Sequence, residues 1–215
     1  MSTSVGPTYP GTGTNSNAVG TIAWNNPGNI VSDNASYAIA QKTSGSAVTN
    51  YLRASNFGFT IPSGSNIYGI VVEIKRARTG TSGSVIDSRV SIVKSDGSVG
   101  TTNKASGSNW PTSQTYATYG TSSDLWDETW AYTDINDTDF GVVLSATVTD
   151  SFDGYQADVD TVRITVTYGT QYPLSGGQGT FTVTGYAAVI TNDEKTRWTN
   201  QTKVGSITPT NVVKN

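Results

Sequence analysis

The chain has 215 residues, 13 Lys+Arg against 16 Asp+Glu, and a net charge of −3; 13% of residues are charged and 35% hydrophobic. It contains no His and no Cys, which excludes Ser-His-Asp and Cys-His triads, an imidazole base, thiolate metal sites and disulfides. The acidic balance, with no run of Lys or Arg, argues against a nucleic-acid groove.

Residues 1–20 are Gly, Ser, Thr, Asn and Pro without periodicity, and are expected to form an extended N-terminal arm. They hold no Lys or Arg and no apolar run, so no secretion signal is expected there. Residues 21–169 form the expected body, in which apolar and polar residues alternate in short runs. Ile70, Val72 and Ile74 fall on one side of YGIVVEIKRAR, with Glu73, Lys75 and Arg76 at polar positions. Val90 and Ile92 alternate in SRVSIVKSDG, which ends in the turn signal Ser95-Asp96-Gly97. Phe140, Val142, Leu144, Ala146 and Val148 share one side of the next run, and Val162, Ile164, Val166 and Tyr168 share one side of the last. Such period-two runs are half-buried strands. The turn DSFDG (150–154) predicts that the last two pair as a hairpin. Weaker strands are expected at Thr21–Trp24, Ser36–Ala40, Asn50–Ala54 and Gln114–Tyr119, with a single helical turn within 127–137. Seven or eight strands without a βα rhythm predict an all-β, antiparallel β-sandwich of jelly-roll type. Residues 170–215 follow as a C-terminal arm with short strands, entered through SGGQG. The longest apolar stretches, Ile70–Val72 and Ala187–Ile190, are too short to span a bilayer.

Several phrases in the body carry a resemblance: AWNNPGNIVSDNASYAIA, NYLRASNFGFTIPSGSNIYGIVVEIKRA, YGTSSDLWDETW, and DINDTDFGVVLSA followed by ADVDTVRITVTY. Together they resemble a β-sandwich module of virion structural proteins in tailed bacteriophages, of decoration, tail or fibre type. YPLSGGQGTFTVTGYAAVI is similar to a strand-forming repeat of such proteins. The resemblance implies a non-enzymatic virion part, assembled in the host cytoplasm. Its partners would be a major capsid or tail protein and copies of the chain itself, with no nucleic acid and no membrane. It brings no catalytic residue, no cofactor and no metal ligand.

Asp134, Asn136, Asp137 and Asp139, and Asp150, Asp153, Asp158 and Asp160, could supply oxygen ligands to Ca²⁺. Their order does not match the EF-hand loop, and Asp and Asn also build turns, so no metal site is assigned. No pair of acids stands out for glycoside cleavage. Trp110, Tyr116, Tyr119 and Trp126 crowd a stretch rich in Ser, Thr and Gly. They are the candidate platform for a surface glycan if the chain is an adhesin, and core residues if it is not. Residues 171–215 carry four basic and two acidic groups against nine and fourteen in 1–170, nets of +2 and −5 that sum to −3. Opposite charges favour docking of the arm on a neighbouring copy or another acidic surface. Phe181, Val183 and Trp198 are the expected buried anchors of that interface, with Lys195 and Arg197 at its rim.

Overall fold

A computed structural model describes residues 2–80, 83–150, 154–170, 187–190 and 198–201. The chain divides into two compact units, residues 1–172 and 173–215. In the first unit the strands run β1 (Ser2–Thr8), β2 (Thr12–Ser16), β3 (Ala38–Lys42), β4 (Gly45–Val48), β5 (Tyr51–Ser55), β6 (Ser65–Thr79), β7 (Gly83–Val93), β8 (Thr115–Tyr119), β9 (Gly141–Asp150) and β10 (Tyr155–Thr170). A 3₁₀ turn at Pro27–Val31 and a five-residue helix α1 (Tyr132–Asn136) complete it. In the second unit β11 (Ala187–Ile190) pairs antiparallel with β12 (Trp198–Gln201).

The first unit is an antiparallel β-sandwich, as the period-two runs predict. One sheet has the order β1-β10-β6-β8, with β3 also on β10; the other has the order β2-β5-β9-β4, with β7 also on β9. Both are built on one plan. β6 lies along nearly the whole of β10, so β3 (opposite 155–159) and β1 (opposite 164–169) share its other edge in tandem. In the same way β7 lies along β9, while β5 and β4 succeed one another on its far edge. The inward rows of both sheets meet in a single core containing Ile70, Val72, Ile74, Val90, Ile92, Leu144, Val148, Val162, Ile164 and Val166. Phe57, Phe59, Phe140 and Trp130 close one part of it with ring centroids 5.5–6.5 Å apart, at the distances aromatic pairs prefer.

Three expectations are corrected. Residues 2–16 are strands of the sandwich: β1 pairs with β10 and β2 with β5. Backbone ladders need no apolar alternation, and a Ser/Thr/Gly strand at a sheet edge escapes a search for hydrophobic periodicity. Gly13 is required where it stands, since a Cβ there would lie 2.2 Å from the Pro27 carbonyl oxygen. Second, β9 and β10 form no hairpin, because they belong to different sheets. Each already has both edges occupied, so the chain passes from one sheet to the other between Asp150 and Tyr155. Third, Thr21–Trp24 makes only an isolated bridge, Ile22 to Thr49, while Trp24 turns into the core and donates from Nε1 to the Asn50 carbonyl at 2.8 Å. The helical turn falls within 127–137 as expected, with the Asp134 carboxylate accepting the Ala131 N–H.

Candidate functional site

Two groups of polar side chains stand out, one inside the sandwich and one on the outer face of the β10–β6–β8 sheet. The inner group is centred on Asp87 of β7. Its Oδ1 accepts from Trp110 Nε1 at 2.8 Å, and its Oδ2 accepts from the Tyr119 hydroxyl at 2.8 Å, the Ser106 N–H at 2.9 Å and Arg76 Nη2 at 3.3 Å. The Arg76 guanidinium lies 4.6 Å from the centre of the Trp110 ring. Arg76 and Tyr119 come from one sheet and Asp87 from the other, so the cluster ties the two layers through a buried ion pair. Burial, and then the Asp87 charge, push the Tyr119 hydroxyl well above its ordinary pKa. Arg78 extends the group, donating from Nε to the Trp110 carbonyl at 2.9 Å and from Nη1 to the Tyr155 hydroxyl.

The outer group is arranged along β6 and β10. Glu73 and Arg163 face each other across the pair and form a bidentate ion pair at 2.8 and 2.9 Å. The Arg163 guanidinium stacks 3.8 Å from the centre of the Tyr116 ring. One turn of the pleat further on, Lys75 Nζ binds Asp33 at 2.5 Å and Asp160 at 2.9 Å. Asp33 also accepts the Tyr116 hydroxyl at 2.9 Å, and Asp160 accepts the N–H groups of Asn34 and Ala35. The 33–35 loop is thereby tied down on the sheet. The hydrogen bond from Lys75, followed by that from Tyr116, holds the Asp33 carboxyl below the usual carboxylate range. Asp158 lies beside this group and is pushed the other way, because burial outweighs its bond from Thr79.

The structure separates the four rings expected to form a glycan platform. Trp110 and Trp126 are each 1% exposed and Tyr119 is 5% exposed, all within the core. Their polar atoms are spent internally, Trp126 Nε1 on the Ile70 carbonyl and the other two on Asp87. Of the four, Tyr116 alone is on the outer face. The core outcome follows from strand parity: Tyr119 pairs with the inward-facing Val72, and Tyr116 with the outward-facing Lys75. Of the expected assembly residues, Phe181, Val183, Lys195 and Arg197 lie outside the described residues, and Trp198 opens β12 opposite Ile190. Among the described residues no group of three acidic side chains is placed to hold a metal ion; the Asp137 carboxylate accepts the Asp139 N–H within its own loop, and the Asp139 carboxylate pairs with Arg53 of β5 at 3.0 Å.

The inner cluster escaped sequence reasoning, although a signal was present. Arg76 sits two residues beyond Ile74 in the same alternation, so its parity points inward. The outer cluster left none, because Asp33, Tyr116 and Asp160 are remote in sequence and meet only through the sheet order.

Pairing and parity define an antiparallel β-sandwich with a hydrogen-bonded ionic core and a polar outer strip. No family model and no curated protein matches the sequence. Among solved structures the chain is similar to one described as "CBM4 structure and function", with a TM-score of 0.36 and 14% identity, covering 62% of this chain and 85% of that one.

Proposed function

We propose that the chain is a non-enzymatic structural protein of a tailed-phage virion, a decoration (cement) protein whose sandwich lies on an assembled shell or tail and whose C-terminal unit engages neighbours. The observation that carries this reading is the division into two compact units with formal charges of opposite sign, −5 for residues 1–172 and +2 for 173–215. A negatively charged body and a positively charged appendage favour head-to-tail association between copies, or docking on another acidic subunit. The likeness of TIPSGSNIYGI and SDLWDETW to phage virion modules supports the same class. Mass spectrometry of purified particles of the encoding virus, with heads and tails separated, tests it. The protein should be found in stoichiometric amounts in the head fraction. Recovery with tails would move it to a tail or fibre role, and absence from the particle would overturn the reading.

A further inference from the structure

Around Lys75 of β6 an amine, an acyl carbon and a proton carrier converge. Along the β6–β10 pair Lys75 stands opposite Thr161 and Arg76 opposite Val159, so Asp160 is the extra residue of a β-bulge. A bulge re-aims the side chain it carries. Here it brings a carboxyl group that is 1% exposed against Lys75, with Oδ2 2.9 Å from Nζ. That oxygen accepts no aligned hydrogen bond among the described residues, and the carboxyl carbon is one bond beyond it.

The other oxygen is held differently. Asp160 Oδ1 accepts two successive backbone N–H groups, Ala35 at 3.0 Å and Asn34 at 3.3 Å. Ala35 has a φ of 60°, a left-handed conformation that costs a residue with a Cβ, and the turn directs both donors to one atom. Paired backbone donors of this kind stabilise an oxygen that gains charge as a nucleophile adds to its carbon. Asp33 completes the group. Its Oδ1 is 2.5 Å from Nζ, and its Oδ2 accepts the Tyr116 hydroxyl at 2.9 Å. Asp33 is thereby fixed as a proton acceptor on the amine, while its side chain, 36% exposed, opens on solvent.

We propose that Lys75 and Asp160 condense spontaneously to an amide that cross-links β6 to β10, with Asp33 as the proton carrier. Asp33 moves one proton from the Nζ ammonium to Asp160 Oδ2, leaving a neutral amine and a neutral carboxyl group. Nζ then adds to the Asp160 carboxyl carbon, and the Asn34 and Ala35 N–H groups hold the charge that develops on Oδ1. A second proton passes from Nζ through Asp33 to Oδ2, the bond from carbon to Oδ2 breaks, and water leaves past Asp33. One water is lost, no oxidant or other co-reactant is consumed, and the amide N–H remains as a donor to Asp33. Holding the three groups in contact takes the place of chemical activation. The Asp33 carboxylate, and then that of Asp160, hold Lys75 as the ammonium, so the reaction follows folding slowly. The inference concerns the first unit alone and holds whether or not the chain decorates a virion.

Intact mass spectrometry of the full chain, fresh and aged, followed by peptide mapping, tests it. The aged chain should weigh one water less than its sequence, with the peptides containing Lys75 and Asp160 joined. Lys75→Arg keeps the positive charge but has no amine to acylate, and should retain the full mass. Asp33→Asn should slow the loss of water by about a hundredfold. Lys104→Arg, which alters the separate ion pair with Asp124 at 2.7 Å, should leave the loss unchanged. Mapping of the parent chain needs no variant and remains decisive if one of them fails to fold. An aged chain that keeps its full mass would overturn the proposal. So would water loss mapped to a succinimide at Asp96-Gly97, or loss that persists in Lys75→Arg.

Discussion

Arg76 has the inward parity of Ile70, Val72 and Ile74, so the alternation that buries those aliphatics also carries a guanidinium into the core. Its tolerance there depends on Asp87, which accepts four hydrogen bonds in all. Removing one member of such a pair leaves a buried charge uncompensated, at about 3–5 kcal/mol. Asp87→Ala should therefore lower the unfolding free energy by about that amount in urea titrations. Arg76→Met with Asp87→Leu should recover only part of the loss, because the apolar pair removes both buried charges but leaves Trp110 Nε1, the Tyr119 hydroxyl and the Ser106 N–H without their acceptor. A single variant as stable as the parent would refute the role of the pair. Asp158 gives a test in pH. Its folded-state pKa is raised by burial, so the folded chain holds the proton more tightly than the unfolded chain does. Stability is then greatest below the unfolded value and declines as pH rises through the folded one. Asp158→Asn should raise the melting temperature at neutral pH, and the gain should vanish at low pH. A gain that persisted undiminished in acid would contradict the assignment.

Strand β1 looks like a tail when read by hydrophobic pattern, yet it pairs with β10 from Ser2 to Thr8. Only Val5 among its residues packs on the core, so its contribution comes mainly from backbone hydrogen bonds and from covering the edge of β10. Deleting residues 1–8 should uncover the ladder groups of Ile164–Gly169 and leave an open edge, which invites intermolecular pairing. The melting temperature should fall by about 5 °C or more, and light scattering should reveal aggregation on warming. An unchanged, monodisperse protein would return these residues to the status of an arm. The same element-level reasoning explains why β9 and β10 do not form a hairpin. A turn signal describes how the chain reverses, but whether the two strands bond depends on whether each still has a free edge. Here β7, β5 and β4 fill the edges of β9, and β6, β3 and β1 fill those of β10.

The body contains its own core, and the division after Tyr172 leaves every strand of both sheets within it. Truncation after Tyr172 should therefore give a soluble protein that unfolds cooperatively at nearly the parental temperature. If the C-terminal unit is the clamp, the truncated chain should no longer self-associate or join particles in sedimentation assays at low salt. Because attraction between units of opposite charge is screened by ions, association of the full chain should weaken as salt is raised. Unfolding of the truncated chain would show that residues 173–215 belong to the core. Normal incorporation of it would remove the clamp role.

The all-β class, the inward rows of β6, β9 and β10, and the short helix were legible because a pleated strand buries alternate residues wherever it lies, and that alternation is local. The same locality limited the reading. Whether Trp110, Tyr119 and Trp126 are platform or core depends on which way each points; for Tyr119 that follows from its register against Val72 of β6, and for Trp110 and Trp126 from loops whose indoles bond to Asp87 and the Ile70 carbonyl, remote in sequence. The N-terminal strands are held by partners more than a hundred residues away in the case of β1, with no side-chain pattern to announce them. The meeting of Asp33, Lys75, Tyr116 and Asp160 likewise exists only once β10, β6 and β8 lie side by side. Composition and periodicity settled the kind of architecture; the allocation of strand edges between two sheets decided which polar residues share a face, because hydrogen-bond ladders join segments without regard to their separation in sequence.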